Sequence, residues 1–159
     1  MSKKYFLILL VLILASRFLL VSKHPGDVDP AIYILSAQAG LNPSGNTIHS
    51  FNEELSFGYN ALLTIIDRVI QHDVPKLVVI LNYLNAAFGV LIILVFGLLT
   101  KRVAGSGVSI LGMLILLLDH SLWNWSLYGH PGILSVAFFM LSLYFFDIGI
   151  QEKKISYNS

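Results

Sequence analysis

Four stretches of the chain are long apolar runs, at 5–21, 77–99, 103–125 and 131–150. A membrane-crossing helix needs about 20 predominantly apolar residues. The run at 77–99 carries no charge, whereas the run at 5–21 is interrupted by Arg17. The run at 103–125 holds Asp119 and His120 near its end, and the run at 131–150 holds Asp147 near its end. This pattern predicts an all-α, polytopic membrane protein with four transmembrane helices. It forms a single membrane domain over 1–159, with 151–159 as a tail. The first run also suits a signal peptide, because Lys3 and Lys4 precede it. Ser16-Arg17-Phe18 offers no small-x-small cleavage site, so an uncleaved anchor is expected.

Between the first two runs lies a long connection, residues 22–76. A loop this long usually has a function of its own. Its pattern predicts two helices, at about 29–39 and about 53–70. Asp29 can cap the first, Pro30 suits its first position, and Gly40 can end it. In the second, Leu55, Tyr59, Leu62, Leu63, Ile66 and Ile70 recur at helical spacing on one face. Ser56, Asn60, Thr64 and Asp67 fall on the other. Both helices read as amphipathic elements lying in the membrane interface. The remaining links, around 101–107 and 126–130, are short and imply antiparallel neighbours.

Composition agrees with this picture. Of the 159 residues, 56% are hydrophobic and 12% charged, and the mean hydropathy is +0.77. An ordinary soluble domain carries about 25% charged residues, which argues against a soluble globular enzyme and against a disordered chain. A net charge of +1 gives no field to recruit nucleic acid. With no cysteine, disulfides, thiolate nucleophiles and Cys-ligated metals are excluded. The order of charges sets an orientation. Lys3, Lys4, Lys101, Arg102, Lys153 and Lys154 all fall on one side if four spans are present. By the positive-inside rule both termini are then cytoplasmic and 22–76 lies on the opposite face.

Several residues are candidates for chemistry, each with a plainer role beside it. Asp27 and Asp29, two residues apart after His24, can share a divalent cation or flank a substrate hydroxyl. Equally, Asp29 is a helix cap and Asp27 a solvated turn residue. Arg17 is costly inside a span unless it snorkels to the interface or meets a phosphate or the acidic pair. Asp119 and His120 read as a functional site or as a structural pair, beside the interfacial Trp123 and Trp125. His130-Pro131 opens the fourth run as a wet turn or a substrate contact. Asn82 and Asn85 share one helix face and are expected to link helices. Asp147 is expected to be solvated.

The order of these features resembles the N-terminal module of GT-C glycosyltransferases. These are multi-spanning enzymes, the mannosyltransferases among them, that use polyprenyl-phosphate-linked sugars. Asp27-Val28-Asp29 occupies the place of that family's acidic loop motif, with Tyr33 and Ala37 following in a similar pattern. Gly40-Leu41-Asn42-Pro43 is similar to the loop beyond it. Leu81-Asn82-Tyr83-Leu84-Asn85-Ala86-Ala87-Phe88-Gly89, leading to Leu99-Thr100-Lys101-Arg102, resembles the second span. Trp123-Asn124-Trp125-Ser126-Leu127-Tyr128-Gly129-His130-Pro131 resembles the junction before the fourth.

The resemblance implies sugar transfer on the non-cytoplasmic face. Asp27 would be the general base, and Asp29 would orient the acceptor or share a divalent cation, Mg or Mn, with Asp27. Arg17 would meet phosphate, and His24 and His130 would touch substrate. Full members have more spans, so a truncated product, half of a split enzyme or a descendant without catalysis is implied. The partners would be membrane lipids, the lipid-linked sugar and a second membrane chain. Two other readings stand beside this one. One is a non-catalytic four-helix subunit or scaffold of a larger complex. The other is a transporter element using Asp119 and His120.

Overall fold

The structure, a computed structural model, describes residues 3–21, 57–128, 130 and 132–157. All regular structure among the described residues is helical. The helices are α1 (Lys3–Phe18), α2 (Phe57–Val69), α3 (Val74–Leu118), α4 (His120–Leu127) and α5 (Gly132–Tyr157). Among the described residues two stretches are long and apolar enough to cross a membrane, Val74–Leu118 and Gly132–Ile150. The apolar part of α1, Ile8–Phe18, is shorter. The expected helix at about 29–39 lies outside the described residues.

Helix α3 is not straight. Gly105 has φ 86° and ψ 175°, a conformation open to glycine and strained for other residues. Beyond it the chain turns back, and Ser109 Oγ donates to the Gly97 carbonyl at 2.7 Å. In a straight helix these residues would sit about 18 Å apart. The two limbs, 74–104 and 106–118, therefore run side by side, and the reversal falls inside the turn expected at 101–107. Arg102 Nε bonds Asp147 Oδ2 at 2.8 Å, and its guanidinium lies 5.9 Å from the Tyr144 ring centroid. Asp147 is thus an ion-pair partner fastening the turn to α5, not the solvated carboxylate expected.

The third apolar run is not one helix. At Asp119 the backbone leaves helical geometry (φ −64°, ψ 122°), and the carboxylate accepts from Leu122 N at 2.7 Å. A side chain that caps the next helix ends the previous one, so the expected 103–125 element divides into the second limb of α3 and α4. This capping bond also weakens the transporter reading of Asp119. His120 Nε2 faces Asn124 Nδ2 at 3.0 Å, one turn along α4.

The main core forms where α1, both limbs of α3, α4 and α5 meet. It includes Leu9, Ile13, Ile93, Met113, Leu122 and Ile133. Close approach of α4 to α3 depends on Gly89, where an added Cβ would stand 2.6 Å from Ser126 Cβ. Ser126 is buried and its hydroxyl donates to Leu122 O at 2.7 Å, so it has little room to yield. Gly89→Ala is expected to destabilise by about 1–3 kcal/mol through overpacking. Helix propensity alone predicts a gain of about 1 kcal/mol, so the sign of the change in thermal unfolding decides between them.

A second cluster seats α2 on the start of α3 through Tyr59, Leu63, Leu77, Val78 and Leu81. The stripe its apolar spacing predicts is buried, with Ile66 and Ile70 packed beside Tyr59 and Leu63, but burial extends onto the face expected to be polar. Thr64 and Asp67 are buried with Tyr59 and Leu63, while Ile65 is exposed. Helix α2 ends in a Schellman turn: His72 N donates to Asp67 O at 3.0 Å and Gln71 N to Arg68 O at 3.3 Å. Gln71 and His72 both adopt positive φ, 60° and 62°. Gln71 takes the place usually held by glycine, so Gln71→Gly is expected to stabilise by about 1 kcal/mol. Unfolding in detergent with no gain would show that the turn is not strained there. Asp73 then caps α3, accepting from Lys76 N at 3.1 Å, with Pro75 in the first turn. The Lys76 side chain bonds the same carboxyl and, as the largest cause, holds it below the ordinary carboxylate range.

Candidate functional site

The residues with the most distinctive chemistry gather where α1 ends and α3 gives way to α4. Arg17, one residue from the end of α1, is 0% exposed. It does not snorkel. Its guanidinium lies 4.8 Å from the Trp123 ring centroid, within cation–π range. Nη2 points at the Leu117 and Leu116 carbonyls, at 3.4 and 3.5 Å. These belong to the last turn of α3, whose carbonyls lack helical partners and form the negative end of the helix dipole. The carboxylate of Asp119 acts on the same cation from the junction beyond. Nε and Nη1 are buried and have no hydrogen-bond partner among the described residues. Three N–H groups of a buried cation, one on Nε and two on Nη1, thus go unmatched among the described residues, a costly arrangement in a site built only for packing.

A second polar centre lies on the first limb of α3. Asn85, fully buried, donates from Nδ2 to the His130 carbonyl at 2.8 Å and to the Trp125 carbonyl at 3.4 Å. Its Oδ1 accepts from Tyr59 Oη at 3.4 Å. One amide thus joins α2, α3, α4 and the α4–α5 link, the helix-linking role expected of it. The His130 ring stacks on Trp125 at 4.8 Å, 8° from parallel. Its Nδ1 accepts from Gly132 N at 3.0 Å, which leaves the ring proton on Nε2. Tyr59 also helps line an apolar cavity of about 550 Å³ with Leu62, Leu84, Phe88, Leu134 and Phe138.

Of the expected site residues, Arg17 and His130 are described, and each contacts a different tryptophan of α4. Trp123 and Trp125 are about 200° apart around the helix, so α4 separates the two centres. Asp27, Asp29 and His24 lie outside the described residues, and with them the expected divalent-cation site. Among the described residues no group of three or more His, Asp or Glu side chains converges as a metal site.

Sequence reasoning did not find the pairing of Arg17 with Trp123, reading the tryptophan as interfacial belt. It also missed the contact between Asp67 Oδ2 and His72 Nδ1. Five residues apart, these two share no helix face, and only the Schellman turn brings them together. Comparison with protein-family models, curated proteins and solved structures finds no match.

Proposed function

We propose that the chain is an integral membrane module of the GT-C glycosyltransferase kind, transferring a sugar from a polyprenyl-phosphate donor on the non-cytoplasmic face. In this reading four helical segments cross the bilayer: α1, the two limbs of α3 with α4 continuing the second, and α5. Both termini are cytoplasmic, and residues 22–76 face the headgroups on the other side. The observation that supports donor binding is the Arg17 guanidinium. It is buried near the end of α1 with three N–H groups unmatched among the described residues, and Asp27 and Asp29 follow ten and twelve residues later in the sequence. A phosphate monoanion accepts from such a fork and neutralises its charge. The same contact would stabilise the phosphate as it leaves. Asp27 and Asp29 would face the acceptor, with a divalent cation between them if one is used.

The test is mass spectrometry of the purified chain with lipids retained. A bound polyprenyl phosphate, lost in Arg17→Gln, is the expected result. Asp27→Asn with unchanged sugar transfer would count against the acidic pair. Protease or glycan tagging that placed residues 22–76 in the cytosol would end the reading.

The alternative is a non-catalytic membrane subunit or scaffold. It is favoured by the polar groups already committed to internal links, Asn85, Asp119 and Asp147. It is favoured also by the outward aromatic surface of α5, where Phe138, Phe139, Phe145 and Phe146 are exposed. A second multi-spanning chain in the same spectra, with no carrier lipid, would select it.

A further inference from the structure

We propose that Asp119 makes the Arg17 site selective for a phosphodiester, which carries one negative charge, over a phosphate monoester, which carries two. The inference rests on the donor-binding reading above and names the chemical class the site accepts. Arg17 is 0% exposed, whereas Asp119, at the junction of α3 and α4, is exposed. Asp119 Oδ1 accepts from Leu122 N at 2.7 Å, which fixes the carboxylate at the junction, and its charge acts on the guanidinium. The Leu116 and Leu117 carbonyls, 3.5 and 3.4 Å from Nη2, add the negative end of the α3 dipole. The first turn of α4 offsets part of the carboxylate. The cation is thus close to balanced before any ligand arrives. What it still offers is hydrogen-bond donors, one on Nε and two on Nη1.

The neighbouring charges do not alter this balance. Lys76 pairs with Asp73 at 2.7 Å, Arg102 pairs with Asp147 near the Gly105 bend at 2.8 Å, and Arg68 is exposed on α2. His120, next to Asp119, faces Asn124 Nδ2 at 3.0 Å. A phosphodiester accepts from the unmatched N–H groups and sets one charge beside Arg17. A second ligand charge has no further cation to meet and faces Asp119 and the α3 carbonyls instead. Repulsion from a carboxylate grows with the charge of the ligand, so Asp119 penalises the dianion more.

Sugar transfer converts one class into the other. The acceptor oxygen bonds to the sugar C1 and gives its proton to the base. The C1–O bond to the carrier breaks, and its electron pair stays on the phosphate. A diester with one charge enters the site and a monoester with two charges remains. Asp119 therefore favours release of the spent carrier over its retention.

The test is calorimetry on the full chain in maltoside micelles with two probes, dodecyl phosphate and its methyl ester, partition into protein-free micelles being subtracted. The probes share a tail and differ by one methyl group and one charge. At about pH 8 the unmodified chain is expected to bind the methyl ester about tenfold more tightly. At about pH 5, below the second phosphate pKa of about 6, both probes carry one charge and the gap is expected to close. A gap that persists there assigns the preference to the methyl group and overturns the proposal. Asp119→Asn keeps a capping oxygen without the charge and is expected to lose the gap at the higher pH. Asp119→Ser, also a cap, serves if the asparagine variant does not fold. An unchanged gap in a folded variant, or an unmodified chain that binds the dianion as well as the monoanion, overturns the role of Asp119. In that case loss of both probes in Arg17→Gln leaves phosphate binding at Arg17 standing. If neither probe binds, or Arg17→Gln binds them as the unmodified chain does, the donor-binding reading falls and the selectivity with it.

Discussion

Arg17→Met is expected to leave the chain as stable as before, or more stable by about 1–4 kcal/mol, while abolishing the carrier-lipid binding proposed above. Replacing a buried charge with an apolar side chain of similar length is often neutral or stabilising, because the desolvation cost disappears. Here the charge keeps only long contacts to two carbonyls and the face of Trp123. Nε and Nη1 return nothing within the described residues. If Arg17 serves the fold, the methionine variant loses stability instead, since its ties to α3 and α4 go with it. Unfolding in mixed micelles and lipid retention, measured on the same sample, separate the two roles. Stability lost together with retention would assign Arg17 to packing. A gain in one with loss of the other is the signature of a group kept for function.

The second large effect is expected at Asn85. Asn85→Leu keeps the branched shape at Cγ but replaces the amide with a somewhat larger apolar group, and so removes three hydrogen bonds that hold α2, α4 and the His130 turn on α3. Interhelical hydrogen bonds in membrane bundles average about 0.6 kcal/mol with a maximum of about 1.7. Loss of the set, with the His130 carbonyl left bare, is expected to cost about 2–4 kcal/mol. Asn124, bonded to His120 on the same short helix, provides the control. Asn124→Ala should stay within about 0.5 kcal/mol. Similar values for the two variants would show that Asn85 does not organise the bundle.

The helical class was legible because apolar runs of bilayer length have few other uses. The turn near Gly105 was legible too, from Lys101-Arg102 followed by glycines between two apolar runs. The break at Asp119 was not. A single capping carboxylate inside an apolar run reads as an intramembrane acid until its bond to Leu122 N is seen. The burial of two polar residues of α2 was missed for a related reason. Spacing identifies which residues share a stripe, but Thr64 and Asp67 are buried by tertiary contacts that periodicity does not report. The environment of Arg17 was least legible of all, since its carbonyl partners lie 99 and 100 residues away along the chain. The acidic motif at Asp27 and Asp29, which carries the family resemblance, stands as a proposal awaiting the transfer assay.

The reversal at Gly105 also orders the events of assembly. With so short a connector, the limbs of α3 meet at almost no entropic cost of loop closure. Their register is fixed by covalent linkage as soon as both have emerged from the ribosome. The paired limbs can then serve as a template before α5 has been synthesised. When α5 arrives, Asp147 meets an Arg102 whose backbone the bend has already placed, so the last helix docks onto a preformed pair of limbs.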